Sequence, residues 1–226
     1  MLKQFENCMS LGNGCWLSNF MLRTGLSSFY NPFSWITSTN FEAVLKIIDE
    51  NFAGFLDKSN LHFGDNYKCY DEKYDIIFHH DFCKEYSDVK EKYDRRIKRF
   101  LDAEKKPTCF FRIVIYEKEV DYINNNQKYI QKVIKKYNQD NEIVFLVCKK
   151  DVKKKIEDST TFYFENSYVD FGWFQNKDHS YKMLDNKEFC EFIKNILPKE
   201  TMKKNMDFCI IHYNYSFGPL LGYKYE

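Results

Sequence analysis

Apolar runs of four to eight residues alternate along this chain with amphipathic stretches of a dozen or so. Residues 7–11 are largely apolar and end in Gly12-Asn13-Gly14, and residues 15–22 carry Trp16, Phe20 and Leu22 at helical spacing. Over 41–55, Val44, Ile47, Ile48, Phe52 and Phe55 fall on one side of a predicted helix. Residues 74–78 predict a second strand, with His79-His80-Asp81 at its C-terminal end. A helix charged on its outer face follows at 89–101, then a strongly apolar strand at 109–116, Cys-Phe-Phe-Arg-Ile-Val-Ile-Tyr. The pattern continues with a helix over 122–137, a buried strand at 143–148, a further strand at 160–164 and a helix at 187–197.

Continuous apolar strands separated by helices favour a mainly parallel sheet covered on both faces. The fold expected is therefore one α/β domain over residues 1–226: a three-layer sandwich whose Cys15 loop follows the first strand. The 109–116 and 143–148 segments should be neighbouring central strands. Alternation of strands and helices throughout the chain favours this fold over elements segregated into halves. In parallel sheets, ligands bind outside the carboxyl ends of the strands. Cys15 and His80 each lie just past the end of a predicted strand, so the strand ending in His80 should lie beside the one leading to Cys15.

Composition narrows the class. The 226 residues are 44% hydrophobic and 19% aromatic, enough for a packed core built largely from rings. The net charge of +1 gives no global footprint for DNA or RNA, and the basic run 90–106 reads as a solvated helix face. No secretory signal is visible and no apolar run reaches bilayer length, so the expected compartment is the cytoplasm and no membrane span is expected. Eight cysteines without a CxxC pair read as free thiols, not as a disulfide framework or a metal site. No metal or resident cofactor is expected, and no GxxxxGK[ST] or GxGxxG loop is present to cradle a nucleotide.

The chemistry then falls on Cys15. A thiol at a helix start meets unpaired N–H groups and a partial positive charge, which favour thiolate. The N–H groups of Gly12, Asn13 and Gly14 are placed to hold a developing oxyanion. His80 is the imidazole chosen to activate the thiol, with Asp81 to orient it. His179, preceded by Asp178, is the alternative imidazole, although a polar loop is the plainer reading of that segment. His79 and His80 alternate across an extended chain, which argues against a shared metal ion. Arg112, inside an apolar strand, must be paired or must face a cleft; substrate-anion binding and structural pairing with an acidic neighbour both remain open, with pairing favoured.

A set of motifs in fixed order adds a resemblance. Ser10-Leu11-Gly12-Asn13-Gly14-Cys15, Leu22-Arg23, Pro32-Phe33-Ser34-Trp35, Phe52-Ala53-Gly54-Phe55-Leu56, His80-Asp81-Phe82 and Arg95-Arg96 resemble a bacterial family of papain-like cysteine peptidases, a domain of unknown function. The likeness covers the first half of the chain well. It implies cysteine-dependent hydrolysis with Cys15 and His80 acting together. The family carries Asp where this chain has Ser34, which leaves open a catalytically silent binding or assembly module of a surface-polysaccharide or effector pathway. A looser likeness to capsule-polysaccharide biosynthesis proteins with a Gly-x-Cys opening implies acyl transfer through a thioester, with a coenzyme A thioester as a possible substrate. Peptide, glycan-linked acyl group and small molecule all remain open as partners, as does the oligomeric state.

Overall fold

A computed structural model describes residues 3–64, 68–168 and 182–205. His179, the alternative imidazole, therefore lies outside the described residues. Four strands, β1 (Asn7–Ser10), β6 (Thr108–Val114), β7 (Glu142–Cys148) and β8 (Thr161–Phe164), form one parallel sheet in the order β1-β6-β7-β8. Between β1 and β6 the chain builds a second, antiparallel sheet. Its strands are β2 (Ile36–Ser38), β3 (Leu61–Phe63), β4 (Cys69–Asp71) and β5 (Ile76–Phe78), in the order β2-β5-β4-β3. The helices are α1 (Cys15–Arg23), α2 (Phe41–Asp49), α3 (Tyr86–Ala103), α4 (Glu117–Asn125), α5 (Gln127–Ile134) and α6 (Lys187–Asn195). No helix among the described residues is long and apolar enough to cross a membrane.

The parallel sheet follows from its sequence. All seven residues of β6 are buried, as a strand covered on both faces requires. Alternation then sorts its side chains. Phe110 and Val114 join one apolar cluster with α2, α3, α5 and the antiparallel sheet. Cys109, Phe111 and Ile113 join another with α1 and α6. In β7, Ile143, Phe145 and Val147 pack on the first side and Val144, Leu146 and Cys148 on the second. The neighbouring central strands expected at 109–116 and 143–148 are β6 and β7, paired from Cys109↔Glu142 to Val114↔Val147.

Three local expectations need correction. The 74–78 strand does not lie beside the strand leading to Cys15: β1 pairs with β6, whereas β5 pairs with β2 and β4. Only residues 72–75 separate β4 from β5, too few for a parallel crossover, so the pair is antiparallel. The helix expected over 41–55 stops at Asp49, because Asn51, Phe52 and Leu56 take positive φ and Gly54 lies at φ 80°. That irregular turn drives Phe52 and Phe55 into a ring cluster with Phe33, Tyr74, Phe78, Tyr93 and Phe100. The helix expected over 122–137 is two helices, with the break at Asn126.

At the opposite end of β6 from its loops to α4, the C-cap residue of α3, Glu104, carries an unusual carboxyl. Its backbone carbonyl accepts from Asn141 Nδ2 at 2.8 Å, while its Oε1 is buried without a partner among the described residues. Burial pushes this carboxyl from its ordinary 4.5 up to about 8. The folded state therefore holds a proton that the unfolded chain releases, and stability falls as pH rises from about 4.5 to about 8. Urea unfolding of wild type against Glu104→Gln should show that fall, of order a few kcal/mol, in wild type alone. Parallel slopes for both proteins would refute it.

Candidate active site

The site is built where the parallel sheet ends and the antiparallel sheet begins. The β1 ladder runs on past Ser10, with Leu11 N–H donating to Phe111 O at 2.8 Å and Gly12 O accepting from Ile113 at 3.4 Å. The chain then turns through Gly12 and Gly14, at φ 86° and 87°, into α1. Neither glycine has room for a side chain. A Cβ on Gly12 would lie 2.6 Å from Ser38 Oγ and 2.9 Å from Arg112 Nη1, and one on Gly14 would lie 2.0 Å from Tyr168 Oη. The peptide bond between Gly12 and Asn13 is cis.

Cys15 is the first residue of α1, half-buried, and Gly14 supplies no side-chain cap to the helix. Burial pushes its thiol up; its own backbone N–H pulls the other way and is outweighed. The expected depression of the thiol at the helix start is thus not what the surroundings give, because desolvation of the charged form dominates. Asn13 is 1% exposed, and both its amide atoms are without partners among the described residues.

Strand β2, which the hydrophobic pattern did not reveal, touches every part of this arrangement. Trp35, just before it, meets the exposed His80 edge-on at 5.9 Å between ring centroids. Ile36 O accepts from Gly14 N–H at 3.0 Å. Thr37 Oγ1 lies 2.9 Å from His79 Nε2, and burial lowers the pKa of that imidazole. Ser38 is bonded to Arg112 through both its hydroxyl and its carbonyl, at 2.8 and 2.7 Å. The Cys15 loop thus lies on one edge of β2, and β5, which leads into the two histidines, lies on the other.

Two expected roles change. Asp81 has its carboxylate on α3, with Lys92 and Tyr93 donating to its two oxygens. It braces the turn after β5 and is occupied away from the imidazoles. Arg112 faces no cleft: it is fully buried, donates to Glu119 Oε1 at 2.7 Å and to Leu11 O at 2.8 Å, and stacks on Phe41. It cannot take a substrate anion, because its guanidinium is already spent on internal acceptors. Ser34, where the resemblance expects Asp, accepts from Asn31 N–H at 2.9 Å and is a buried turn cap.

Tyr168 was missed by sequence reasoning, since no motif marks it. Its hydroxyl donates to Asn13 O at 2.7 Å and its backbone N–H donates to Asp151 Oδ2 at 2.6 Å, so the segment after β8 reaches back onto the Cys15 loop. Among the described residues, no cluster of three or more His, Cys, Asp or Glu side chains is arranged to hold a metal ion.

The family model described as "Putative papain-like cysteine peptidase (DUF1796)" matches residues 6–151, from the start of β1 through the loop after β7. No curated protein and no solved structure matches the chain.

The strained, filled environment of the two glycines predicts a sharp contrast. Gly12→Ala and Gly14→Ala should each lose about 1–3 kcal/mol in chemical denaturation from positive φ alone, before any clash is counted. Gly64→Ala, whose Cβ would meet only an ordinary contact at 3.8 Å, should stay within about 1 kcal/mol of wild type. Equal losses at all three positions would contradict the assignment.

Proposed function

The chain belongs to this papain-like cysteine peptidase family, and from that premise we propose that it is a cysteine-dependent hydrolase with Cys15 as nucleophile and His80 as general base. The observation that carries the reading is strand β2 itself, which holds the Cys15 loop on one edge through Ile36 and pairs with β5 on the other, with His80 packed on Trp35 just before it. Cys15 Sγ attacks a substrate carbonyl carbon while the imidazole takes the thiol proton. The same proton passes to the leaving group as the tetrahedral adduct collapses to a thioester, and water then releases the acid. Because burial keeps Cys15 in its thiol form, the imidazole acts as a base during attack, not through a resting ion pair.

The Asn13 amide, without partners among the described residues, supports the same reading. A buried amide without partners costs about 1–3 kcal/mol, and a substrate oxygen held beside the N–H groups of the Gly12–Gly14 loop would satisfy it. The sorting of β6 and β7 side chains into two clusters supports a three-layer reading of the parallel part. Transfer of the acyl group to an acceptor other than water, including from a coenzyme A thioester, would use the same first half-reaction. A silent module is the weaker reading. Its main support is Ser34, and Ser34 does at Asn31 what an Asp there would also do: accept a backbone N–H.

Acylation by p-nitrophenyl acetate, read as an adduct mapped to Cys15, tests the assignment. Wild type should show two limbs, one at lower pH that depends on the imidazole as base and one at higher pH where the thiolate forms. His80→Gln should cut the lower limb about 100-fold or more and leave the upper limb. Cys15→Ser should abolish the adduct and barely move the melting temperature. A single upper limb in wild type would sink the base assignment.

Ser34→Asp should leave both limbs within about threefold of wild type, because the cap is retained. A large gain in the lower limb would mean that the acidic residue acts on the histidine, and that this chain is an impaired enzyme.

A further inference from the structure

Arg112 occupies a place that structural pairing with Glu119 alone does not explain. It lies on the β6 face shared by Phe110 and Val114, which looks toward the antiparallel sheet. Its Nε donates to Glu119 Oε1 at 2.7 Å. The rest of the guanidinium is spent differently. Nη1 donates to Leu11 O, one residue before the Gly12–Gly14 loop, and to Ser38 Oγ, while Nη2 donates to Ser38 O. Leu11 belongs to the wall that carries Cys15. Ser38 belongs to the wall that carries the histidines, through its pairing with Ile76 of β5. One rigid planar group therefore holds both walls at a fixed separation, and a Cβ on Gly12 would strike it.

We propose that Arg112 is a positioning residue that sets the spacing between Cys15 and the imidazole, with Ser38 as its receiver on the histidine wall. The inference rests on the Cys15–His80 reading above and assigns Arg112 no contact with substrate. A guanidinium suits the task because its donors point in fixed, divergent directions in one plane. An ammonium in its place keeps the charge for Glu119 but brings its three donors to a single atom, and cannot span Leu11 and Ser38 in the same geometry. Proton transfer between Cys15 and a base is steeply sensitive to such spacing, whereas the reaction of a preformed thiolate is not.

The two-limb acylation profile separates these effects. In Arg112→Lys, the lower limb should fall about 10–100-fold while the upper limb stays within about threefold of wild type. Ser38→Ala removes one acceptor, leaves the buried charge pair intact and keeps the test open if Arg112→Lys folds poorly. It should lower the same limb by a smaller factor, about 3–10-fold. Two outcomes overturn the proposal alone: a lower limb preserved in both folded variants, or both limbs falling together in step with the folded fraction. A wild-type profile without a lower limb overturns the base assignment, and the positioning role with it.

Discussion

A guanidinium that is 0% exposed must be given acceptors by its surroundings, and the joint between the two sheets is arranged around that requirement. Arg112 takes one carboxylate, two backbone carbonyls and a hydroxyl. Removing one partner of such a buried pair strands the other, at a typical cost of about 3–5 kcal/mol. The elements that supply the acceptors are therefore not independent. The start of α4 must bring Glu119 to β6, the chain leaving β1 must present the Leu11 carbonyl, and β2 must end at Ser38. Burial pushes the Glu119 carboxyl up and Arg112 pulls it back, so each charge is tolerable only while the other is present.

Strand β2 turns that constraint into a site. Its hydrogen-bonding edges are both used, one by β5 and one by the Gly14 N–H. The side chains of Trp35 and Thr37 alternate with the buried Ile36 and Ser38. Alternation across a strand thus sends two residues to the histidines and two inward, one of them to Arg112. The aromatic cluster beneath keeps this short sheet in place. Phe33, Phe52, Phe55, Phe78, Tyr93 and Phe100 meet edge-on or tilted at 5.3–6.0 Å and tie the turn after α2 to α3. Three-residue strands would be marginal alone, and these rings supply the burial that they lack.

The parallel sheet was legible because its strands are long and apolar on both faces: 109–116 and 143–148 could hardly be anything else. The antiparallel sheet was not. Ile36-Thr37-Ser38 and Cys69-Tyr70-Asp71 are too short and too polar to stand out by period, and they form only because the ring cluster holds them. With β2 invisible, the strand ending in His80 had nowhere to go but the parallel sheet. The Cys15 loop itself was legible from its glycines, whereas the roles of its neighbours depended on tertiary partners. Lys92 and Tyr93 lie eleven and twelve residues beyond Asp81, and nothing local announces that they would claim its carboxylate. Tyr168 lies more than 150 residues from Asn13, beyond the reach of any motif.

The remaining tension lies between helix start and burial. The first turn of α1 offers Cys15 its own N–H, which favours thiolate, yet the thiol is pushed up because burial excludes water from much of it. A nucleophile in that state is protected from adventitious alkylation and oxidation, which proceed through thiolate. On the proposed reading, its reactivity is created when substrate arrives, by a base placed close enough to take the proton as the new bond forms. That makes spacing between the two walls matter more than the resting charge of either group. A joint fixed by a fully buried, divergent donor such as Arg112 meets that demand better than a mobile loop would. It holds its geometry without help from the substrate, so binding energy is not consumed in drawing the two walls together.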